Sequence, residues 1–412
     1  MINKNVMLRD EELYQCLRAE EQRQSRDLEM IASESIQDAE ALMLAGSVFN
    51  NKTAVGSIGN QRLQGSEYAD MLERLAAKRA CEIFGAEHAN MTTYSGSVAN
   101  FCAYSAVLKP GDPVVALSSE VGAHQSHGGG KNISSSFYKF RYFGLERDTF
   151  EIDYNEAESI VREHKPKLLV IGSAAYPRNL NFRRLAEIAH QNGALLMVDI
   201  AHFTGLIAAG ITPNPVPYAD IVTASTTKTM CGPHSGFIMC KKRYAKQVEE
   251  SIYPGYIASY HLQTIAAMSY ALWRSQTTEF RQMMGQVVRN AQHLCRELQE
   301  RGFGIFTGGT DCHMFLLDVK PMGLNGIQFA DSLNQAHINV NSKSIPFENT
   351  TVPGGVRVGT TVLTQRGMKE REMEEIADIF YLLAEQKCSE KAIKEAGDKV
   401  LCLSQKFRLP SR

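Results

Sequence analysis

Short apolar runs alternate with helical patterns through the first two-thirds of the chain. Segments 113–117, 167–171 and 194–199 are short and nearly continuous in apolar residues, which is typical of strands that are buried on both faces of a largely parallel sheet. Segments 68–84 and 183–192 instead carry apolar residues at helical spacing. This alternation predicts an α/β domain in which helices flank the sheet.

The pattern changes in the last third of the chain. An apolar stripe with a period of about 3.6 residues runs from Phe280 to Leu298 and predicts a long helix with one packing face. This helix opens a second, smaller α+β domain that ends with a helix over 369–385, and the charged segment after Gln386 is predicted to be a peripheral tail. The predicted organisation is an N-terminal arm over 1–40, a large domain over 41–275 and a small C-terminal domain over 276–412.

Composition and charge narrow the classes of partner. Lys plus Arg number 44 and Asp plus Glu number 45, so no basic field favours nucleic acid or an anionic membrane. No apolar run reaches the roughly 18 residues of a membrane span, and the N-terminus has no apolar core of a signal peptide. Nine scattered cysteines show no metal-ligand spacing, which favours a reduced compartment. We expect a cytoplasmic protein without a metal, a nucleic-acid partner or a membrane partner.

One lysine stands out because of its surroundings. Lys228 lies in the stretch VTASTTKTMCGP, between two apolar runs, 219–223 and 236–240, that are predicted to be buried strands. A lysine is most often a solvated surface charge, but a tight connection lined by Ser and Thr is an uncommon place for one. An amine in a partly desolvated pocket suits Schiff-base chemistry, because desolvation favours its neutral, nucleophilic form.

Two further patterns favour a phosphorylated aromatic cofactor. Ser95, Gly96 and Ser97 precede an apolar helical run, and a small-residue turn that opens a helix suits a phosphate; the same turn is also a common helix N-cap. Asp199 ends an apolar strand. A carboxylate there faces the ligand crevice of an open α/β sheet and can hold a pyridinium nitrogen protonated, although a helix N-cap is an alternative.

Two histidines and an arginine complete the candidate chemistry. His124 and His127 lie on a Gly-rich loop after a predicted strand, where an imidazole can stack on a flat cofactor. No carboxylate or cysteine clearly accompanies them, so we predict no metal. Arg357 lies between β-branched residues, and a buried guanidinium needs an anion, either a substrate carboxylate or an internal ion pair.

Together these features indicate a pyridoxal phosphate enzyme that acts on an α-amino acid. Over about residues 25–385 the chain resembles serine hydroxymethyltransferase, a fold-type I pyridoxal phosphate enzyme. The stretches that carry the resemblance are 29–34 (EMIASE), 95–97 (SGS), 198–202 (VDIAH), 214–217 (NPVP), 226–229 (TTKT), 308–311 (GGTD) and 356–360 (VRVGT).

The resemblance implies a fold and a set of roles. The fold is an aspartate-aminotransferase-like large domain with a mostly parallel seven-stranded sheet and a smaller C-terminal α+β domain. Lys228 would form the internal aldimine with pyridoxal 5'-phosphate, Asp199 would hold the pyridine nitrogen, and His124 would stack on the ring. The protein would be a homodimer, in which segments 51–65 and 253–260 are donated to the partner's site.

The substrate side of the site follows from the same resemblance. His202 would lie near the ring hydroxyl and the substrate carboxylate, and Ser33 and Arg357 would bind that carboxylate. The substrate would therefore be a small amino acid.

Other positions depart from the family pattern. Residues 51–65 read NKTAVGSIGNQRLQG where the family reads roughly NKYAEGYPGKRYYGG. Thr53 and Leu63 replace tyrosines, and Val55 replaces a glutamate that handles protons at the substrate hydroxyl and the folate. A valine can neither donate nor accept a proton. Further departures from the family are Ser119, Gln125, Ala174 (in place of a serine that faces the ring hydroxyl), Thr227, His234 and Lys343 (in place of an asparagine).

The residues expected to bind the cofactor and the amino acid are thus retained, whereas those expected to bind folate and to handle the substrate hydroxyl are changed. We expect a pyridoxal phosphate-dependent enzyme that forms a quinonoid or carbanion from a small α-amino acid for aldol-type C–C cleavage or addition. It would be an aldolase or transaldolase of specialised metabolism that does not need folate. Two alternatives remain, a folate-dependent hydroxymethyltransferase of serine or an α-substituted serine and a non-catalytic pyridoxal phosphate-binding protein.

Overall fold

The structure, a computed structural model, describes residues 9–348 and 351–410. It contains two compact units: one spans Ser35–Gly285, and the other combines the described residues up to Glu34 with those from Gln286 onward. The domain limits expected from the sequence, at residues 40 and 275, stay a prediction. Among the described residues, no helix is both long and apolar enough to cross a lipid bilayer.

The regular elements are numbered here in chain order. The strands are β1 (Leu28–Glu29), β2 (Gly56–Ser57), β3 (Asn60–Gln61), β4 (His88–Asn90), β5 (Pro113–Leu117), β6 (Lys139–Phe143), β7 (Leu168–Gly172), β8 (Leu195–Asp199), β9 (Ile221–Ser225), β10 (Gly236–Cys240), β11 (Gly304–Ile305), β12 (Met314–Asp318), β13 (Ile338–Asn339), β14 (Asn341–Lys343) and β15 (Gly355–Gly359). The α-helices are α1 (Glu11–Arg26), α2 (Ala39–Ala45), α3 (Glu67–Phe84), α4 (Gly96–Val107), α5 (Ile133–Phe137), α6 (Tyr154–His164), α7 (Phe182–Gln191), α8 (Thr204–Ala208), α9 (Ala245–Glu250), α10 (Leu262–Ser275), α11 (Thr278–Glu300), α12 (Gly326–Gln335), α13 (Thr361–Gln365), α14 (Glu370–Glu385) and α15 (Glu390–Lys406).

The unit Ser35–Gly285 is built on a seven-stranded sheet with the strand order β4-β10-β9-β8-β7-β5-β6. Strands β9, β8, β7, β5 and β6 are parallel, and β10 runs antiparallel to both of its neighbours. Strands β7 and β9 are buried along their whole length, as continuous apolar runs require. The mostly parallel sheet predicted from the sequence is therefore confirmed, and the predicted strands agree with the observed ones to within two residues.

The register of this sheet brings the strand ends together. Asp199, the last residue of β8, pairs with Gly172 of β7 and with Thr223 of β9. Because parallel strands point the same way, the loops that follow β7, β8 and β9 leave the sheet at one edge, where open α/β sheets bind their ligands.

The other unit contains an antiparallel four-stranded sheet in the order β11-β12-β15-β14. One face of this sheet contributes Phe315, Leu317, Val356 and Val358 to an apolar core together with residues of α11, α12 and α14. The opposite face carries Arg357, because successive side chains of a strand point to opposite faces.

The segment after Gln386 is not the peripheral tail expected from the sequence. It forms α15, whose apolar side chains Ala392, Ala396, Val400 and Leu403 are buried in the core of the same unit. These residues are spaced by three or four positions and form one stripe of the helix, while the charged residues that suggested a tail cover the exposed side.

Candidate active site

A cavity of about 170 Å³ opens at the carboxyl edge of the seven-stranded sheet. Residues from the ends of β7, β8 and β9, from the loop after β5 and from the start of α4 line it. The lining residues are Ser95, Gly96, Ser97, Asn100, His124, Ser173, Asp199, Ala201, His202, Ser225 and Lys228. The structure thus brings together, within one unit, the residues that the sequence predicted for the cofactor.

The start of α4 forms one wall of the cavity. Ser95 is the N-cap, and its Oγ accepts a hydrogen bond from the backbone N–H of Val98 at 3.2 Å. The N–H groups of the first turn have no acceptor within the helix, and they suit a bound phosphate. Gly236 of β10 allows the helix to begin this close to the sheet, because an added Cβ at this position would overlap the backbone of Ser95.

Asp199 is a buried carboxylate with several donors, and only 7% of the residue is exposed. Its Oδ1 accepts a hydrogen bond from the Ala201 N–H at 2.8 Å, and its Oδ2 accepts one from the Asn100 amide at 2.8 Å. Burial alone would raise the pKa of Asp199, but the nearby His127 ring, the Lys228 charge and the Asn100 amide outweigh it, and the pKa lies well below its usual range. A charged carboxylate here suits a protonated pyridine nitrogen.

A hydrogen-bonded chain connects Asp199 to His124. The Asn100 amide donates to Asp199 and also to Ser126 Oγ at 2.8 Å, while the Thr223 hydroxyl fixes the amide by donating to its oxygen at 2.6 Å. Ser126 Oγ lies 2.7 Å from His124 Nδ1. This hydrogen-bonded chain orients the half-buried imidazole of His124, for which the family resemblance implies stacking on the ring.

His127 is a residue to which the sequence assigned no role. Its Nε2 lies 3.2 Å from Asp199 Oδ2, and its Nδ1 lies 2.6 Å from the Tyr104 hydroxyl. Tyr104 is fully buried, and burial raises its pKa well above the usual value. The sequence favoured stacking on a cofactor over a metal for the pair His124 and His127, yet the two rings contact different partners. The sequence signal was a second histidine three positions after the first.

Lys228 lies on a loop whose shape is fixed by its own hydrogen bonds. The N–H of Gly232 donates to the Thr226 carbonyl at 2.7 Å, and the N–H of Cys231 donates to the Lys228 carbonyl at 3.1 Å. The Thr229 hydroxyl donates to the His202 carbonyl at 2.9 Å and accepts the Gly205 N–H at 3.0 Å. These bonds explain why the segment is rich in Ser and Thr: their hydroxyls replace backbone partners in a loop that follows a buried strand.

The loop after β7 places a serine at the cavity, although the family's ring-facing serine is replaced in this sequence. The sequence placed Ala174 at the position of a ring-facing serine, but Ser173 lines the cavity. Its Oγ donates to the Tyr176 carbonyl at 2.8 Å and accepts the Tyr176 N–H at 2.7 Å. A hydroxyl is therefore present on this wall one residue earlier in the chain.

Ser33 and Arg357 belong to the other unit. Arg357 Nε donates to Asn341 Oδ1 at 3.1 Å, and burial lowers the pKa of Arg357 to about 10. The segment before Ser33 lies against the strand of Arg357, because the Gly359 N–H donates to the Met30 carbonyl at 2.8 Å. An added Cβ on Gly359 would be only 2.6 Å from Ala32 Cα. The structure thus keeps the two predicted carboxylate-binding segments adjacent within this unit.

The fold and the cavity are those of a fold-type I enzyme that depends on pyridoxal phosphate. A family model described as "Serine hydroxymethyltransferase" matches residues 6–380. The chain therefore belongs to the serine hydroxymethyltransferase family. It is a pyridoxal phosphate-dependent enzyme of amino acid metabolism with aldol-type chemistry.

Proposed function

We propose that this enzyme catalyses aldol-type cleavage or addition on a small β-hydroxy-α-amino acid without tetrahydrofolate, as an aldolase or transaldolase of specialised metabolism. The observation that carries the proposal is a contrast between two halves of the site. Lys228, Asp199 and His202 line one cavity, whereas the family glutamate that handles protons for the folate is Val55. A side chain without a titratable group cannot serve that step.

The residues of the cavity fit pyridoxal phosphate by their chemistry. In this proposal Ser95, Gly96 and Ser97 hold the phosphate at the start of α4, and Lys228 supplies the amine that holds the cofactor. Asp199 keeps the ring nitrogen protonated because its carboxylate is ionised. Bound pyridoxal phosphate supplies an electron sink for negative charge at the substrate α carbon.

The reaction moves protons that the protein must accept and return. In the cleavage direction the Cα–Cβ bond breaks, the β-hydroxyl loses its proton and becomes the aldehyde carbonyl, and Cα gains a proton. With a valine at position 55, we assign the proton transfers to the imidazoles at the cavity, His124 and His202. Ser33 and Arg357 bind the α-carboxylate, since a guanidinium matches a carboxylate with two parallel hydrogen bonds.

A homodimer is part of the proposal. None of Thr53, Val55 and Leu63 is among the residues that line the cavity of their own chain, which supports their donation to a partner's site. The unit Ser35–Gly285 also exposes large apolar side chains on and near α2 and α3. These are Met43, Val48, Leu63, Tyr68 and Met71. An apolar patch of this kind is typical of a protein interface. We place the enzyme in the cytoplasm, where its nine free cysteines would remain reduced.

The test is an assay of purified holoenzyme with serine, threonine and their α- or β-substituted relatives, with and without tetrahydrofolate. We expect aldehyde release or exchange that does not change when folate is added. The substitution Val55→Glu should leave this reaction unchanged and can raise a trace of hydroxymethyl transfer. A strict folate requirement with ordinary serine would favour the hydroxymethyltransferase alternative. No turnover and no change in cofactor absorbance with any amino acid would favour a binding protein.

A further inference from the structure

Two cationic side chains share one face of the four-stranded sheet. In the β14–β15 pair, Asn341 lies opposite Arg357 and Lys343 lies opposite Gly355. Side chains two residues apart on a strand point to the same face, so Lys343 is the diagonal neighbour of Arg357. Diagonal neighbours are separated by about 7–8 Å at Cα, within reach of long side chains. Gly355 leaves no side chain of its own opposite Lys343.

Among the residues that the structure describes, no acidic side chain pairs with Lys343. Asp318 and Glu348, the acids of this sheet and of the following loop, pair with Lys320 at 3.6 and 3.2 Å. Within residues 9–348 and 351–410, no carboxylate lies within 4.0 Å of the Lys343 ammonium. The side chain is nevertheless partly buried. Burial and the nearby Arg357 charge both lower the pKa of Lys343.

Placing the positive charge of Lys343 beside that of Arg357 raises the free energy of the folded protein unless an anion binds nearby. Like charges on adjacent positions of a sheet repel each other, and a partly buried ammonium loses some of its hydration. Arg357 is assigned above to the substrate α-carboxylate, which neutralises one of the two charges. The second charge stands where the family has an asparagine, so a neutral amide has been exchanged for a cation in the part of the site that no longer resembles a folate pocket.

We propose that Lys343 binds a second anionic group of the substrate, a carboxylate or a phosphoryl group carried beyond the β carbon. In the β-hydroxy-α-amino acid this group belongs to the side chain, and after cleavage it belongs to the aldehyde. This inference rests on the proposed aldol-type function and on Arg357 as the α-carboxylate site. It defines the substrate class as amino acids that carry two anionic groups.

A binding experiment tests the inference without turnover. The probes are alanine, aspartate and O-phosphoserine, titrated into holoenzyme by calorimetry. We expect the wild type to bind aspartate or O-phosphoserine at least about tenfold more tightly than alanine, because hydrogen bonds to charged groups contribute roughly 1.5–3 kcal/mol. Lys343→Met, which keeps the length of the side chain and removes the charge, should abolish that preference and leave alanine binding within about twofold.

Turnover separates the two sources of the anion. Matched β-hydroxy-α-amino acids with neutral, carboxylate and phosphoryl side chains are compared by kcat/KM. We expect Lys343→Met to reduce kcat/KM about 10- to 100-fold for the anionic substrate that the enzyme prefers, mainly through KM, and to spare the neutral one. Lys343→Arg should retain part of the preference. Lys320→Met, in the same unit, is the matched control and should leave kcat/KM unchanged for both the anionic and the neutral substrate.

The outcomes distinguish this inference from the proposed function. If turnover requires tetrahydrofolate but the calorimetric preference for dianionic amino acids still depends on Lys343, the function is wrong and the Lys343 site stands. If Lys343→Met binds all three probes as the wild type does, the Lys343 site is wrong whatever the reaction is. Weaker tetrahydrofolate binding as the sole effect of Lys343→Met would also overturn it.

Discussion

His127 Nε2 lies 3.2 Å from Asp199 Oδ2, and both residues are buried. The opposite nitrogen of the same ring contacts Tyr104. The carboxylate proposed to hold the cofactor nitrogen is therefore itself held by a buried imidazole. We therefore expect the affinity for the cofactor to depend on His127, which is not among the residues that line the cavity.

The first prediction concerns this pair. His127→Ala removes the buried imidazole that lies 3.2 Å from Asp199 and lowers its pKa, so that pKa should rise. Pyridoxal phosphate should then bind about tenfold more weakly, because one pKa unit corresponds to about 1.4 kcal/mol. Titration of the apoenzyme, followed by cofactor absorbance, measures this. Tyr104→Phe keeps the contact between His127 and Asp199 and should have a smaller effect. Wild-type cofactor affinity in His127→Ala would contradict the argument.

The second prediction assigns the covalent site. Borohydride reduction of the holoenzyme should fix the cofactor on Lys228, because its loop places this lysine at the cavity with Asp199 and Ser95. Lys228→Ala should lose the reduced adduct and its absorbance, as peptide mass mapping would detect. Lys246→Ala, an exposed lysine of α9, is the control and should retain the adduct. An adduct on another lysine would refute the assignment.

The third prediction tests the dimer. Val48 and Met71 are 79% and 67% exposed in the isolated chain. If the apolar patch is the dimer interface, Val48→Asp combined with Met71→Asp should shift the protein toward a monomer, because two buried charges without partners are costly. Analytical ultracentrifugation measures the shift, and the monomer should lose activity with its partner-donated segment. A double variant that remains dimeric would place the interface elsewhere.

The fourth prediction is a dependence of stability on pH. Glu73 of α3 is 3% exposed, and burial raises its pKa from the usual 4.5 to about 7. The folded state therefore binds a proton that the unfolded state releases between these values. The contribution of this group is fully present below pH 4.5 and is lost as the pH rises to about 7.

Glu73→Gln should remove the decrease in stability that accompanies ionisation of Glu73 at higher pH. The amide oxygen can still accept the hydrogen bonds that Tyr260 and Gln61 donate to Glu73. At pH 8 we expect the free energy of unfolding to increase by up to about 3 kcal/mol, with little change at pH 4.5. Urea unfolding across this range measures the difference. Glu67→Gln, on the exposed side of the same helix, is the control, and an equal gain for both variants would count against the role of Glu73.

The fifth prediction concerns the shape of the lysine loop. An added methyl group at Gly205 would overlap the carbonyl of Thr229, the residue that follows Lys228. Gly205→Ala should therefore displace the loop, lower stability by about 1–3 kcal/mol as overpacking does, and weaken retention of the cofactor. Gly130→Ala is the control, because no atom lies within 4 Å of its added Cβ. Equal cofactor retention in the two variants would show that the loop is not fixed by this contact.

Local patterns predicted five of the seven strands of the large sheet, for a physical reason. Strands β5 and β10 lie where the apolar runs placed them, because a strand covered on both faces must be apolar throughout. The stripe from Phe280 to Leu298 lies on α11, because one face of that helix packs. Helix α15 was missed, because charged residues outnumber the four apolar residues of its buried stripe.

The candidate site divides in the same way. Lys228, Asp199 and the Ser95 turn were found because each follows a strand or opens a helix, and position relative to an element is a local property. His127, Asn100 and Tyr104 were missed because each acts through a partner that is distant in the chain: Asn100 and Asp199 are 99 positions apart. A buried polar side chain needs a hydrogen-bond partner, but the residues around it in the sequence do not identify that partner.

The sequence by itself determined five strands of the seven-stranded sheet, several helices and the family pattern that the chain follows. It did so because burial, helix capping and chemical type are properties of short stretches. Only the tertiary structure decided that His127 supports Asp199, that Ser173 lines the cavity, and that Lys343 stands beside Arg357. Those relationships depend on strand order and register, which are set by the packing of the whole chain.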